Sequence, residues 1–140
     1  MKREQMMEWL RKRWRPDYTC LDFACEVASE ILGRPVPNPE RDPEVLAELA
    51  AGRVPVTPGT QLLTPDQPLA AGDVLIVRPV LPGQPFHAAV VIDPATVREQ
   101  RCLELSRGAC ARVVPAARLA FLAVARFRPC TPPPSPQPGA

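Results

Sequence analysis

Apolar residues recur with a helical period over residues 20–32. They occupy positions 20, 21, 24, 27, 28, 31 and 32, which form one continuous stripe on a helix of 3.6 residues per turn. Thr19 or Asp17 is expected to cap the start, because a short oxygen-bearing side chain there accepts a hydrogen bond from a free amide of the first turn. The pattern therefore predicts an amphipathic helix that begins at or near Cys20 and ends at Gly33.

The segments around this helix alternate between helical and irregular patterns. Pro16 cannot continue a helix, and the prolines that recur after Gly33 do not favour regular structure. We expect a first helix from about Lys2 to Trp14, an extended connector over residues 34–41, a short helix over residues 44–51 and a surface excursion over residues 54–69.

After Gly72 the pattern changes to short apolar runs separated by proline, glycine and aspartate. These runs predict five strands, over residues 73–78, 87–93, 102–106, 111–114 and 123–128, with one helical turn within residues 115–122. Connections this short favour an antiparallel meander. The predicted fold class is α+β, with N-terminal helices packed on a five-stranded antiparallel sheet.

Length and composition set the domain organisation. A chain of 140 residues is sufficient for one domain with a hydrophobic core of its own. Six of the 20 prolines lie between Pro129 and the C-terminus. We therefore expect a single domain over residues 1–128 and a disordered proline-rich tail over residues 129–140.

The charge pattern gives little indication of a nucleic-acid partner. The net charge is only +2, and the basic residues concentrate in the first 15 positions. We interpret them as the solvated face of the first helix, and attraction to an anionic polymer or surface is the alternative. The basic residues are Lys2, Arg3, Arg11, Lys12, Arg13 and Arg15.

The N-terminal sequence does not resemble a signal peptide, and together with the cysteine usage it favours folding in a reducing cytoplasm. Glu4, Gln5 and Glu8 stand where a signal peptide needs an apolar stretch, and no segment is apolar enough to cross a bilayer. Five cysteines without close pairing do not favour a disulfide framework. With one histidine and no Cys-x-x-Cys element, we expect neither zinc nor another cofactor.

Cys20 and His87 are the candidate catalytic residues. A cysteine at a helix start is close to free amides that favour a thiolate and can bind a developing oxyanion. His87, the only histidine, opens a predicted strand and meets Cys20 if the helix packs on the sheet. The alternatives are a cysteine that only fills the core and a structural histidine.

Several short segments, in this order and spacing, resemble the NlpC/P60 family of papain-like cysteine peptidases. Residues 18–23 (Tyr-Thr-Cys-Leu-Asp-Phe) resemble the family's cysteine element, residues 69–75 (Leu-Ala-Ala-Gly-Asp-Val-Leu) its Pro-Gly-Asp-Leu strand entry, and residues 86–92 (Phe-His-Ala-Ala-Val-Val-Ile) its histidine strand. Residues 102–109 resemble the segment that carries the third polar residue. The similarity covers roughly residues 17–128 and is greatest to small members associated with phage tails.

The resemblance implies a papain-like fold and a role for each site residue. Cys20 would attack a carbonyl, and His87 would activate the thiol and protonate the leaving amine. Glu104 stands where the family usually has histidine, and it would orient the imidazole; an exposed position on an edge strand is the alternative. Tyr18 would line the cleft and donate to the oxyanion, with core packing as the alternative.

The function implied is a cysteine peptidase or amidase that cleaves an amide bond, with peptidoglycan peptides as the expected substrate. The context would be a phage tail or delivery to a cell envelope, with phage tail proteins as expected partners and the protein either virion-associated or envelope-delivered. Two alternatives remain open. One is a non-catalytic tail-assembly or adaptor module that retains the fold, and the other is an acyl- or thioester-processing enzyme with the same triad.

Overall fold

A computed structural model of the chain describes residues 2–38, 44, 47–48, 51, 59–77 and 86–130. The fold in this part of the chain is α+β, as predicted. Its helices are α1 (Arg3–Leu10), α2 (Cys20–Leu32) and α3 (Ala116–Leu122). Its strands are β1 (Thr60–Leu62), β2 (Val74–Val77), β3 (His87–Val91), β4 (Arg101–Leu105), β5 (Ala111–Pro115) and β6 (Ala123–Pro129).

The strands form one antiparallel sheet in the order β1-β6-β2-β3-β4-β5. Strands β2 to β5 form the predicted meander. The prediction of five strands was wrong, because the described residues form six. The additional strand, β1, has three residues at the sheet edge and is largely exposed, so it has no apolar alternation for a pattern to detect. After β5 the chain returns through α3, which places β6 between β1 and β2.

Both faces of the sheet are covered by apolar side chains. The stripe of α2 packs on one face, against alternate residues such as Val74, Ala88, Val90 and Leu103. The opposite face packs against α3 and the segment after β1, through a second set that includes Leu75, Ala89, Val91 and Leu119. Burial on both faces explains why β2 and β3 are nearly continuous apolar runs, although the sheet is antiparallel.

The first helix is shorter than predicted. It ends at Leu10 instead of Trp14, and the following residues are extended. The Lys12 carbonyl accepts from the Ala111 amide at 3.0 Å, and the Trp14 amide donates to the Ala109 carbonyl at 3.1 Å. Because these backbone groups pair with the start of β5, tertiary hydrogen bonds outweigh the helical pattern of the segment.

The remaining predictions have mixed outcomes. Helix α2 begins at Cys20 and is followed by Gly33 in the left-handed conformation, as expected. The helical turn predicted within residues 115–122 is α3. Residues 34–38 of the predicted connector are irregular. Of the helix predicted over 44–51, residues 44, 47 and 48 are helical, while residues 45, 46, 49 and 50 lie outside the described residues, as does all of the tail from residue 131.

Gly72 offers a test of how closely α2 is packed on the sheet. Its φ is +93°, and a β-carbon added there would lie 3.0 Å from Cγ of Leu32. Gly108 has a similar φ of +76° but open space around it. We expect Gly108→Ala to lower the free energy of unfolding by about 1 kcal/mol from backbone strain. Gly72→Ala should lower it by about 2–4 kcal/mol, because overpacking adds to the strain. Urea denaturation measures both, and equal losses would contradict the packing.

Candidate active site

The start of α2 is defined by hydrogen bonds around Cys20. Thr19 is extended and precedes the helix, and its backbone amide donates to Oδ2 of Asp22 at 3.0 Å. Nδ2 of Asn38 donates to the other oxygen of Asp22 at 2.6 Å. These contacts place Cys20 at the first helical position, where the helix itself leaves backbone amides without partners. Cys20 is buried, with 7% of its surface exposed.

His87 and Glu104 lie on neighbouring strands and share a hydrogen bond. His87 is the first residue of β3, and Glu104 is in β4, where it pairs with Ala89. Because alternate residues of a strand point to the same face, this register places Glu104 on the face of the His87 ring. Nε2 of His87 lies 2.8 Å from Oε2 of Glu104, and the carboxylate is only 2% exposed.

The Cys20 side chain lies close enough to the His87 ring for its hydrogen-bonding and charge interactions to raise the pKa of the ring. Since Nε2 of the ring contacts Glu104, Nδ1 is the nitrogen left for the thiol. Burial disfavours protonation of the ring, but the hydrogen bonds and charges of Cys20 and Glu104 outweigh it and raise the pKa of His87 to about 9. The three predicted side chains therefore lie together, with Glu104 hydrogen-bonded to His87 and Cys20 close to the same ring.

Arg112 completes this series, and the sequence analysis did not identify it. Its Nε donates to Oε1 of Glu104 at 2.5 Å, so both carboxylate oxygens are engaged. Burial would raise the pKa of Glu104, but hydrogen bonds and charges from His87 and Arg112 lower it overall. The available signal was the β4–β5 hairpin, whose register pairs Glu104 directly with Arg112 across the strands.

Tyr18 lies near the site but is engaged elsewhere. Its hydroxyl donates to Oε2 of Glu26. Burial, with the hydrogen bond and charge of Glu26, raises the pKa of Tyr18, so the hydroxyl is neutral. Lys12 contacts the same pair, with Nζ 3.5 Å from Oε1 of Glu26 and 5.8 Å from the centre of the Tyr18 ring. An oxyanion-binding role would require the Tyr18 proton to leave Glu26.

The other cysteines differ from Cys20 in their surroundings. Cys102 is fully buried, and desolvation, with smaller effects of Glu104 and Asp93, raises its pKa to about 12. Such a thiol is inert at neutral pH. Cys110 is exposed and provides a reference thiol within the same chain.

Comparison of the chain with family models, curated proteins and solved structures finds no match. Within the described ranges, no helix is long and apolar enough to cross a membrane. The same residues contain no cluster of histidine, cysteine and acidic side chains arranged to hold a metal ion. The functional inference therefore depends on the residues and their geometry.

The single histidine allows a direct test of the site's electrostatics. We expect the ring signals of His87 to titrate in NMR with a midpoint near pH 9. In Glu104→Gln the midpoint should fall, because the carboxylate's hydrogen bond and charge are lost while burial still disfavours the protonated ring. Glu99→Gln, which changes an exposed acid outside the site, should leave it unchanged. A wild-type midpoint near the ordinary value of 6.5 would contradict the contacts.

Proposed function

We propose that this protein is a cysteine peptidase or amidase that hydrolyses an amide bond with Cys20, His87 and Glu104. The observations that carry the proposal are the hydrogen bond between the His87 ring and the buried Glu104 carboxylate and the closeness of the Cys20 side chain to the same ring. The order nucleophile, base and orienting acid is the arrangement that thiol catalysis requires. Core packing alone would not require a buried acid on the far side of the ring.

In the first half of the proposed reaction, the Cys20 sulfur attacks the carbonyl carbon of the amide. The proton from the thiol is held on His87, whose pKa is raised to about 9, and Glu104 stabilises this imidazolium through Nε2. Backbone amides of the first turn of α2 would bind the oxyanion. His87 then returns the proton to the leaving nitrogen as the C–N bond breaks, which leaves a thioester on Cys20.

In the second half, water replaces the amine. His87 takes a proton from the water, whose oxygen attacks the thioester carbonyl. The C–S bond breaks, the carboxylic acid product leaves, and the proton on His87 returns to the sulfur. No metal or cofactor takes part in these steps, because the residues supply the nucleophile, the base and the acid.

The substrate and context of the proposal come from the resemblance to the NlpC/P60 family. We propose a papain-like fold of that type, with peptidoglycan peptides as substrate and a role in a phage tail or in delivery to a cell envelope. The architecture supports this fold, since α2 begins with the cysteine and packs on the strands that carry His87 and Glu104. Synthesis in the cytoplasm, followed by association with a virion or envelope, fits the proposed substrate.

Exposed apolar side chains favour a second candidate function. Phe121 is 89% exposed, and its neighbours Leu122 and Val124 are 42% and 48% exposed. Monomeric proteins rarely expose such residues together, and they are typical of interaction surfaces. The second candidate is therefore a non-catalytic tail-assembly or adaptor module that retains the fold.

The reactivity of Cys20 separates these two candidates. If the site is catalytic, iodoacetamide should alkylate Cys20 at neutral pH at least about tenfold faster than the exposed Cys110, because His87 accepts the thiol proton. His87→Ala should remove the difference and leave the Cys110 rate unchanged. Peptide mapping by mass spectrometry gives both rates in one sample. A Cys20 that reacts no faster than Cys110 would exclude an activated nucleophile.

The substrate class requires a hydrolysis assay. Purified peptidoglycan incubated with the protein should release new free amines, and Cys20→Ala should abolish the release. Glu104→Gln should slow it by about 10²-fold, because general acid–base catalysis depends on the orientation of His87. Glu99→Gln is the matched control. Amine release by Cys20→Ala at the wild-type rate would contradict the mechanism.

A further inference from the structure

The contact between Arg112 and Glu104 joins a side chain at the surface to a buried one. The side chain of Arg112 is 64% exposed, whereas that of Glu104 is 3% exposed. Nε of Arg112 donates to Oε1 of Glu104, and the other carboxylate oxygen, Oε2, lies 2.8 Å from Nε2 of His87. The carboxylate therefore bridges a surface cation and the ring to which Cys20 lies close.

The register of the β4–β5 hairpin sets this contact. Glu104 and Arg112 are direct partners across the two antiparallel strands, and the β-carbons of such partners lie about 5 Å apart. Strand β5 is the last strand of the sheet, and the amide of its first residue, Ala111, donates to the Lys12 carbonyl at 3.0 Å. The backbone thus places the guanidinium beside the carboxylate, and little further ordering is needed.

Two cations act on the carboxylate, and they differ in how constant their charge is. Burial would raise the pKa of Glu104, but the hydrogen bonds and charges of His87 and Arg112 lower it overall. In the proposed reaction His87 gives up its proton to the leaving nitrogen and is then neutral. A guanidinium stays charged over the whole working range of pH. Arg112 is therefore the cation that remains when the ring is neutral.

The other ionisable side chains on the neighbouring elements are not paired with Glu104. Cys102, on the same strand, is neutral, because burial raises its pKa to about 12. Arg101 is paired with a different carboxylate, and Arg118 on α3 is exposed. Helix α2 brings Cys20 close to the histidine ring. The acids of α2 are hydrogen-bonded to other groups, and they are Asp22, Glu26 and Glu30. Within the described part of the chain, the guanidinium on β5 is thus the one cation of constant charge at this carboxylate.

We propose that Arg112 is a positioning residue of the site, which holds the Glu104 carboxylate against the His87 ring and keeps it ionised when the ring is neutral. A buried carboxylate without a cation takes up a proton, and a protonated acid no longer stabilises the imidazolium of the next turnover. The role in hydrolysis rests on the proposed function, whereas the effect on the charge of Glu104 does not.

Titration of Glu104 tests the effect on its charge. The carboxylate carbon is followed by ¹³C NMR in protein labelled at glutamate, and its signal is assigned by its absence from Glu104→Gln. Without Arg112, burial is offset by His87 alone, so Arg112→Gln should raise the titration midpoint of Glu104. Arg112→Lys keeps the charge and should raise it less. Arg118→Gln removes an exposed arginine outside the contact and should leave the midpoint unchanged.

The reactivity of Cys20 is a second readout, and a purely structural contact would not change it. At mildly acidic pH, Arg112→Gln should lower the alkylation rate of Cys20 relative to Cys110 about tenfold, the effect of one hydrogen bond to a charged group. Arg112→Lys should lower it by a smaller factor, because an ammonium does not reproduce the planar guanidinium. In amine release from peptidoglycan peptides, kcat should fall in the same order while KM stays constant.

Three results would overturn the proposed role of Arg112. They are an unchanged Glu104 midpoint in Arg112→Gln, a loss of Cys20 reactivity in Arg118→Gln equal to that in Arg112→Gln, and a wild-type Cys20 rate in Arg112→Lys. The last decides the question even where Arg112→Gln does not fold. Failure of the proposed function has a different signature, since a protein that releases no amine from peptidoglycan still shows whether the Glu104 midpoint depends on Arg112.

Discussion

The hydrogen bond between His87 and Glu104 places the strictest constraint on the structure. A carboxylate that is 2% exposed is costly to bury unless its charge is compensated, and here His87 and Arg112 each engage one oxygen. This compensation depends on the register of three strands. A slip of one residue in β4 would move Glu104 to the opposite face and bury it against the apolar stripe of α2. The contacts of Glu104 therefore require this register, and the cost of burying its charge elsewhere disfavours any other register.

The parts of the fold that the sequence predicts are those where local signals agree with tertiary packing. In α2, the apolar period, the residue before Cys20 and the glycine after Leu32 all specify the same helix. The first helix shows the opposite case, because a helical pattern through Trp14 competes with backbone pairing to the start of β5. Strand β1 escaped prediction because a short edge strand needs only the backbone groups of β6.

The residues of the candidate site also fall into those that the sequence predicts and those that it does not. Cys20 and His87 were identified from their chemistry and position in predicted elements, and Glu104 from the resemblance, because it stands where the family has its third polar residue. Arg112 was not identified, because its role arises only when the hairpin register places it opposite Glu104. The basic residues after α1 were assigned to a solvated helix face, but the helix ends at Leu10, and Lys12 and Trp14 pair with the backbone of Ala111 and Ala109. Contacts set by non-local pairing cannot be read from a local pattern.

One hairpin connects the proposed triad to the segment that leads to Cys20. Its β4 strand carries Glu104, and its β5 strand carries Arg112, whose contact fixes the carboxylate. The first residue of β5, Ala111, donates to Lys12 and so holds the basic segment in place. Arg107, in the turn, lies 5.4 Å from the centre of the Trp14 ring and makes a further contact with that segment. Because one hairpin holds both Glu104 and the segment that leads to Cys20, it fixes the acid and the cysteine relative to each other, as the proposed catalysis requires.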